Sequence, residues 1–162
     1  MGNENSTHNK NAVCVINSKI NATIYLTEYN NNVVIYGKVK GLKPNMMHAM
    51  HIHEYGDMTD GCTSSCAHYN PHNMNHGGPD SNIRHVGDLG NITADMNGCC
   101  QFIMVDHMVK INGPYSVVGR AIVIHEDPDD LGLGGHKDSH TTGHAGKRIG
   151  CGVIGIASNK KC

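Results

Sequence analysis

The fold is decided by residues 21–40, which read NATIYLTEYNNNVVIYGKVK. Apolar and polar side chains alternate on both sides of a run of three asparagines, Asn30 to Asn32. Successive side chains of a strand point to opposite faces of a sheet, so this period of two predicts two strands joined by a turn. The apolar members of one face are Ala22, Ile24, Leu26, Val33, Ile35 and Val39.

Six further segments have the length and composition of strands. They are Ala12–Ile16, Met46–His53, Asp88–Ala94, Cys99–Val105, Arg120–His125 and Cys151–Ile156. No segment has the periodicity of a convincing amphipathic helix. Eight strands in 162 residues predict a single all-β domain, built as a sandwich or a closed barrel.

Two long irregular stretches interrupt the strands, residues 54–87 and 126–150. Loops of this length in a compact domain are usually functional or disordered, and these two contain most of the histidines. A functional role is therefore favoured for both. The domain is expected to span residues 12–157, between a disordered, Asn-rich tail at 1–11 and a short C-terminal tail at 158–162.

Composition excludes several classes of partner. The chain has 13 Lys and Arg against 14 Asp and Glu, without a basic stripe, so nucleic acid is not expected as a partner. No apolar run approaches the roughly 20 residues that cross a membrane. The first ten residues lack the apolar stretch of a secretory signal, which favours the cytoplasm. Gly2 fits an N-myristoylation pattern, but a single acyl chain binds membranes only marginally, and no modification is expected.

Histidine is abundant, with 13 residues, and its spacing points to metal binding. His51 and His53 stand at i and i+2 of a predicted strand, so both imidazoles can reach one metal; two surface histidines are the alternative. The loop that follows supplies three imidazoles and one carboxylate, a set that suits tetrahedral zinc. Its members are His68, His76, His85 and Asp88, and His125 ends a later apolar strand.

Several motifs in order resemble one known family. Residues 49–57 (AMHIHEYGD) and 143–154 (GHAGKRIGCGVI) resemble the two signatures of the copper/zinc superoxide dismutases. The zinc-loop pattern of that family is matched by residues 68–71 (HYNP), 76–79 (HGGP) and 84–91 (RHVGDLGN). The likeness runs from about residue 12 to residue 157, and it implies an eight-stranded Greek-key β-barrel, an immunoglobulin-like sandwich, with two functional loops.

The resemblance also implies copper and zinc as cofactors and superoxide as substrate. The implied copper ligands are His51, His53, His68 and His125, and the implied zinc ligands are His68, His76, His85 and Asp88. His68 would bridge both metals as an imidazolate, and Asp129 would orient His51 and His76. Copper would cycle between Cu(II) and Cu(I) while two superoxide anions become oxygen and hydrogen peroxide, with His68 taking up and returning a proton.

Further residues take roles from the same likeness. Arg148 would bind the substrate anion, and Thr142 would narrow the channel to it. The seven cysteines of a cytoplasmic protein suggest free thiols, but Cys62 and Cys151 match the family's intrasubunit disulfide. Cys66 is expected to be a small buried thiol, with exchange into that disulfide as the alternative.

An apolar patch matches the surface through which family members form a two-fold dimer, and a homodimer is expected. Its members are Gly56, Val118, Gly119, Ile154 and Ile156.

Three other functions compete with an active dismutase. A copper-chaperone homologue is disfavoured because all four copper positions are kept, and an inactive decoy because His125 and Arg148 are present. A zinc-only or metal-buffering protein stays open from the sequence.

Overall fold

The structure is a computed structural model that describes residues 10–158. Most of the predicted N-terminal tail, including Gly2, and nearly all of the C-terminal tail lie outside the described residues. The strands are β1 (Asn11–Asn17), β2 (Asn21–Tyr29), β3 (Asn32–Lys40), β4 (Met47–His53), β5 (Asp88–Thr93), β6 (Cys99–Asp106), β7 (Ala121–His125) and β8 (Arg148–Ile156). The helical segments within residues 10–158 are a 3₁₀ turn at Thr63–Ser65 and the four-residue helix α1 at Ser139–Thr142.

The eight strands form one antiparallel sheet in the order β5-β4-β7-β8-β1-β2-β3-β6. Its two end strands, β5 and β6, come into contact without pairing, so that the sheet curls into a nearly closed barrel. The links from β3 to β4 and from β6 to β7 cross between strands that are not neighbours. The predicted all-β barrel is confirmed.

The hairpin predicted from residues 21–40 is present, with Asn21 opposite Lys40 and Tyr25 opposite Tyr36. Asn30 and Asn31 form its turn with φ angles of 47° and 64°, a left-handed conformation that asparagine tolerates better than most residues. The apolar face predicted from the alternation lies in the barrel core, where its members are fully or almost fully buried.

Strand β4 is buried on both of its faces. Met50 and Ile52 point into the barrel core, whereas His51 and His53 point outward and are nevertheless no more than 1% exposed. The long loops cover this outer face: Ile52 N donates to the Gly87 carbonyl, and Tyr69 N donates to the Ile52 carbonyl, each at 2.8 Å. The barrel therefore offers a rigid base on which the loops enclose the histidines.

The second long loop is shorter than predicted. Strand β8 begins at Arg148, three residues before the predicted start, because His125 pairs with Arg148 after an irregularity in the ladder between β7 and β8. Arg148 therefore stands on a strand rather than in the loop predicted at 126–150. Within residues 10–158, no helix is long and apolar enough to cross a membrane.

Candidate metal centre

Two groups of buried metal-binding side chains lie against β4. One consists of His51, His53, His68 and His125, and the other of His51, His68, His76 and Asp88. In each group, one ligand atom from every member lies within 4.8 Å of the others. The groups share His68, the residue predicted to bridge two metals, and they also share His51.

The barrel and the first loop bring these residues together. His51 and His53 come from β4 and His125 from the end of β7, the strand paired with β4. An isolated bridge between His53 and His68 attaches the loop to β4. Asp88 begins β5 opposite His51, so the carboxylate is also held by the sheet.

The fourth predicted zinc ligand, His85, borders the second group. Its Nδ1 lies 3.1 Å from Asp88 Oδ1 and 3.4 Å from His68 Nδ1. The same oxygen is 2.9 Å from His68 Nδ1 and 2.9 Å from His76 Nδ1. Zinc–nitrogen bonds of about 2.0–2.1 Å in a tetrahedron would separate the donor atoms by about 3.3–3.4 Å, so these atoms need only small shifts to surround one ion.

Five of the six imidazoles have one nitrogen occupied by an acceptor outside the cluster, which leaves the other nitrogen facing it. His51 Nε2 and His76 Nε2 bond the two oxygens of Asp129, at 2.8 and 2.7 Å. Three backbone carbonyls serve the others: Cys66 for His53 Nδ1 (2.8 Å), Gly146 for His125 Nδ1 (3.2 Å) and Met74 for His85 Nε2 (3.0 Å). Such acceptors fix the tautomer and the ring direction of a metal-binding histidine.

His68 differs from the other five. Its Nδ1 faces Asp88 and His85, while its Nε2 is buried without a hydrogen-bond partner in the described structure. A buried polar atom left unpaired costs free energy unless something binds it. His51 Nδ1 is buried and unpaired in the same way. The donor set and these unpaired nitrogens fit a pair of adjoining metal ions.

Burial keeps the imidazoles around His53 neutral. It lowers the pKa of His125 to about 4, and it also lowers the pKa of His51 and His53. His76 behaves differently. Burial lowers its pKa as well, but hydrogen bonds with Asp129 and Asp88 outweigh burial and raise the pKa to about 9. Neutral imidazole is the form that binds metal. His51, His53 and His125 are therefore already in the metal-binding form at neutral pH, whereas His76 must release a proton first.

Arg148 is held beside this cluster by the disulfide loop. Its Nη1 donates to the Cys62 carbonyl at 2.6 Å and to Ser65 Oγ at 3.2 Å, and its Nη2 donates to the Cys66 carbonyl at 2.5 Å. The guanidinium shares the Cys66 carbonyl with His53 Nδ1, and Arg148 pairs with His125 in the ladder between β7 and β8. The predicted disulfide between Cys62 and Cys151 is present and joins this loop to β8.

Other predicted residues lie farther from the centre. Thr142 is exposed at the end of α1, where its hydroxyl bonds Asp138, and its role in a channel stays a prediction. Cys66 is exposed, so the expectation of a buried thiol was wrong; its carbonyl, and not its thiol, contacts the site by bonding His53 and Arg148. Ile154 is fully buried in the barrel core, so its side chain cannot belong to the predicted dimer patch.

The family model described as copper/zinc superoxide dismutase (SODC) matches residues 20–154. This chain belongs to the copper/zinc superoxide dismutase family. Relatives include Superoxide dismutase [Cu-Zn] of Paramecium bursaria Chlorella virus 1, 52% identical over 98% of this chain and 84% of the relative. Superoxide dismutase [Cu-Zn] 3 of Arabidopsis thaliana is 47% identical over 83% of this chain and 82% of its own length.

A solved structure, titled as the clock protein EA4, superposes with a TM-score of 0.91 at 39% identity, covering 96% of this chain and all of its own. Membership of the superoxide dismutase family makes the chain an oxidoreductase, with copper and zinc as its metals. The buried histidine and aspartate groups are able to hold both ions.

Sequence reasoning missed the groups that orient the dismutase's histidines through the backbone. The carbonyls of Cys66, Met74 and Gly146 have no signature in a sequence, because every residue carries one. Gly143 was also missed as a structural requirement. A Cβ there would lie 2.0 Å from Asp129 Oδ1 and 2.5 Å from His76 Nε2, so only glycine leaves room for this hydrogen bond. Its place in the second family motif was the available signal.

Proposed function

We propose that His68 joins a copper site to a zinc site, and that superoxide is dismutated at the copper site. His51, His53 and His125 would complete the copper site. The zinc site would be completed by His76, His85 and Asp88. The observation that carries this proposal is His68, whose two ring nitrogens face two buried donor groups and whose Nε2 has no other partner within the described residues.

When bound, copper supplies one-electron oxidation and reduction of superoxide, so that two anions and two protons become oxygen and hydrogen peroxide. The residues of the chain supply the binding and the proton. Arg148 offers a fixed, multi-donor cation to a small anion near His53 and His125. His68 Nε2, which is buried and has no other partner within the described residues, would hold a proton when it does not bind metal and would supply that proton to the reduced anion.

His85 rather than His51 is assigned to zinc. His51 pairs with Asp88 across β4 and β5 and belongs to both donor groups, whereas His85 Nδ1 lies 3.1 Å from Asp88 Oδ1. We assign His51 to copper because Asp88 contacts His85 directly and the ring of His51 also packs edge-on against that of His125 at 4.9 Å.

Metal analysis of substituted chains tests these assignments. Wild-type protein that is stripped and reloaded should contain one copper and one zinc per chain and should dismutate superoxide. His125→Asn should lose copper and keep zinc, whereas His85→Asn should lose zinc and keep copper. His72→Asn, an exposed histidine of the same loop, is the control and should change neither. Loss of zinc from His51→Asn with retention by His85→Asn would overturn the proposed zinc set.

A homodimer is proposed through an apolar surface beside β8. Gly56 packs against Gly119, where a Cβ on Gly56 would lie 2.1 Å from the Gly119 carbonyl oxygen. Val153 and Ile156 stand next to them with 41% and 68% of their surface exposed, and Val118 is partly buried nearby. Sedimentation of the wild type should give a dimer, and Val153→Lys with Ile156→Lys should give a monomer. A wild-type monomer at micromolar concentration would contradict the proposal.

We propose a cytoplasmic location, or the host cytoplasm or the virion if the source is viral, and the virus relative supports it. Fractionation of producing cells tests it, since recovery of the chain in a membrane or secreted fraction would contradict the proposal. A membrane fraction that depends on Gly2 would indicate acylation.

A further inference from the structure

Two asparagines form hydrogen bonds with the backbone of residues that orient the ligand histidines. We propose that Asn70 and Asn91 are positioning residues for the metal centre, Asn70 for zinc alone and Asn91 for both metals. The proposal rests on the ligand sets of the proposed function. Neither residue touches the metal-binding nitrogens, and each acts through the backbone of one intermediate residue.

Asn91 fixes Asp129, the carboxylate shared by both metal groups. Its Nδ2 donates to the Asp129 carbonyl at 2.9 Å, and its Oδ1 accepts the Asp129 N–H at 2.7 Å. The carboxylate so held accepts one bond from His51 and one from His76. Because His51 is assigned to copper and His76 to zinc, a shift of Asp129 would misdirect one ligand of each metal.

Asn70 makes the same pair of bonds in the zinc loop. Its Nδ2 donates to the Met74 carbonyl at 2.8 Å, and its Oδ1 accepts the Met74 N–H at 3.0 Å. The Met74 carbonyl is also the acceptor for His85 Nε2, at 3.0 Å. This asparagine therefore fixes the carbonyl that orients the outer nitrogen of His85, a ligand assigned to zinc alone.

Asn91 lies on the barrel, and Asn70 follows a residue that is bonded to it. Asn91 belongs to β5 and stands opposite Ala49 of β4. Asn70 follows Tyr69, whose N–H and carbonyl bond Ile52 and Gly87, respectively. Met74 and Asp129, the residues that they bond, lie in loops outside the strands. Each asparagine side chain therefore fixes a loop residue relative to the sheet. A side-chain amide suits this task because it has a donor and an acceptor in one plane.

Replacing Asn70 and replacing Asn91 should affect the two metals differently. Removing an outer partner of a ligand typically weakens metal binding 10- to 100-fold, and these asparagines act one bond farther away, so we expect roughly 3- to 10-fold. Asn70→Ala should weaken zinc and leave copper within about 2-fold, whereas Asn91→Ala should weaken both. A purely structural role would instead lower both affinities together with the stability of the metal-free chain.

The experiment measures zinc and copper affinities by chelator competition on stripped, full-length protein, together with the copper electron paramagnetic resonance spectrum. Asn32→Ala is the matched control, since Asn32 makes one local side-chain bond, at 3.3 Å, in the turn between β2 and β3. Thermal unfolding of the metal-free chains accompanies every variant. If Asn91→Ala does not fold, Asn91→Asp keeps the size and the acceptor and replaces the donor with a charged oxygen facing the Asp129 carbonyl.

The expected result is a changed copper spectrum in the Asn91 variant, an unchanged one in the Asn70 variant, and weaker zinc binding in both. Affinities equal to those of Asn32→Ala, or an Asn70 variant that loses both metals in step with its melting temperature, would overturn the inference. Wild-type metal content and dismutation are measured first. If these are absent, the proposed function fails; if they are present and the variants behave like the control, only the asparagine inference fails.

Discussion

The disulfide between Cys62 and Cys151 should supply a large share of the stability of the metal-free chain. It closes a loop of 89 residues and ties the loop that holds Arg148 to β8. Replacing either cysteine by serine removes the same cross-link. We expect Cys62→Ser, Cys151→Ser and the double substitution to destabilise the protein equally, because the second change finds nothing left to break.

The size of the loss follows from the length of the loop. In the chain-entropy relation, closing 89 residues restricts the unfolded state by about 4–5 kcal/mol at 25 °C. For a protein of this size, a loss of this order lowers the melting temperature by about 10–15 °C. Most domains have only about 5–15 kcal/mol of stability in total, so the cross-link decides whether the metal-free chain is folded at elevated temperature.

Urea unfolding of metal-free protein measures the free energy of unfolding directly. All variants are made in a Cys66→Ser background, because an unpaired Cys62 or Cys151 could otherwise join the exposed Cys66. Cys66→Ser alone is the control and should change the stability by less than about 0.5 kcal/mol. A loss below about 1.5 kcal/mol, or single losses that add in the double variant, would refute the reasoning.

Three further outcomes are expected at the site. Arg148→Ala should lower kcat/KM for superoxide about tenfold or more, the effect of one lost charge-assisted contact, and Arg148→Lys should recover part of it; equal rates at equal copper content would contradict this. In metal-free protein, His125 stays neutral down to a pKa of about 4, so its contribution is present above pH 6.5 and about 3 kcal/mol is lost as the pH falls from 6.5 through 4; urea unfolding that is flat over this range would count against it. Salt should slow the wild type more than Arg148→Ala, because dissolved ions screen the attraction between the guanidinium and the substrate anion; equal dependence of the two rates on ionic strength would contradict this.

Local patterns in the sequence predicted much of the fold. The alternation of residues 21–40 predicted β2, β3 and the asparagine turn, because the period of two is a property of any strand with one buried face. Strand ends were harder to predict. Strand β8 starts at Arg148, earlier than predicted, because Arg148 pairs with His125. Residues 148–150 contain no sequence pattern that predicts this pairing.

The candidate metal ligands could also be predicted from the sequence, because few histidines and aspartates stand at positions that match the family's motifs. Their surroundings were not. Cys66 was expected to be buried and is exposed, and Ile154 was expected at a surface and is in the core, because burial depends on which segments fold over a residue. The link from Asn70 through Met74 to His85 could not be predicted, as it passes through a backbone carbonyl.

By itself, the sequence determined an all-β domain that carries donor atoms for metals, because strand periodicity and ligand chemistry depend on residue types, and the resemblance of its motifs supplied the superoxide dismutase family. Only the tertiary structure decided that His68 belongs to two donor groups, and which nitrogen of each other ring is left facing the cluster. The physical reason is that a ring nitrogen becomes available when its opposite atom meets an acceptor. Those acceptors, Asp129 and three backbone carbonyls, come from segments distant in the chain that the barrel brings together.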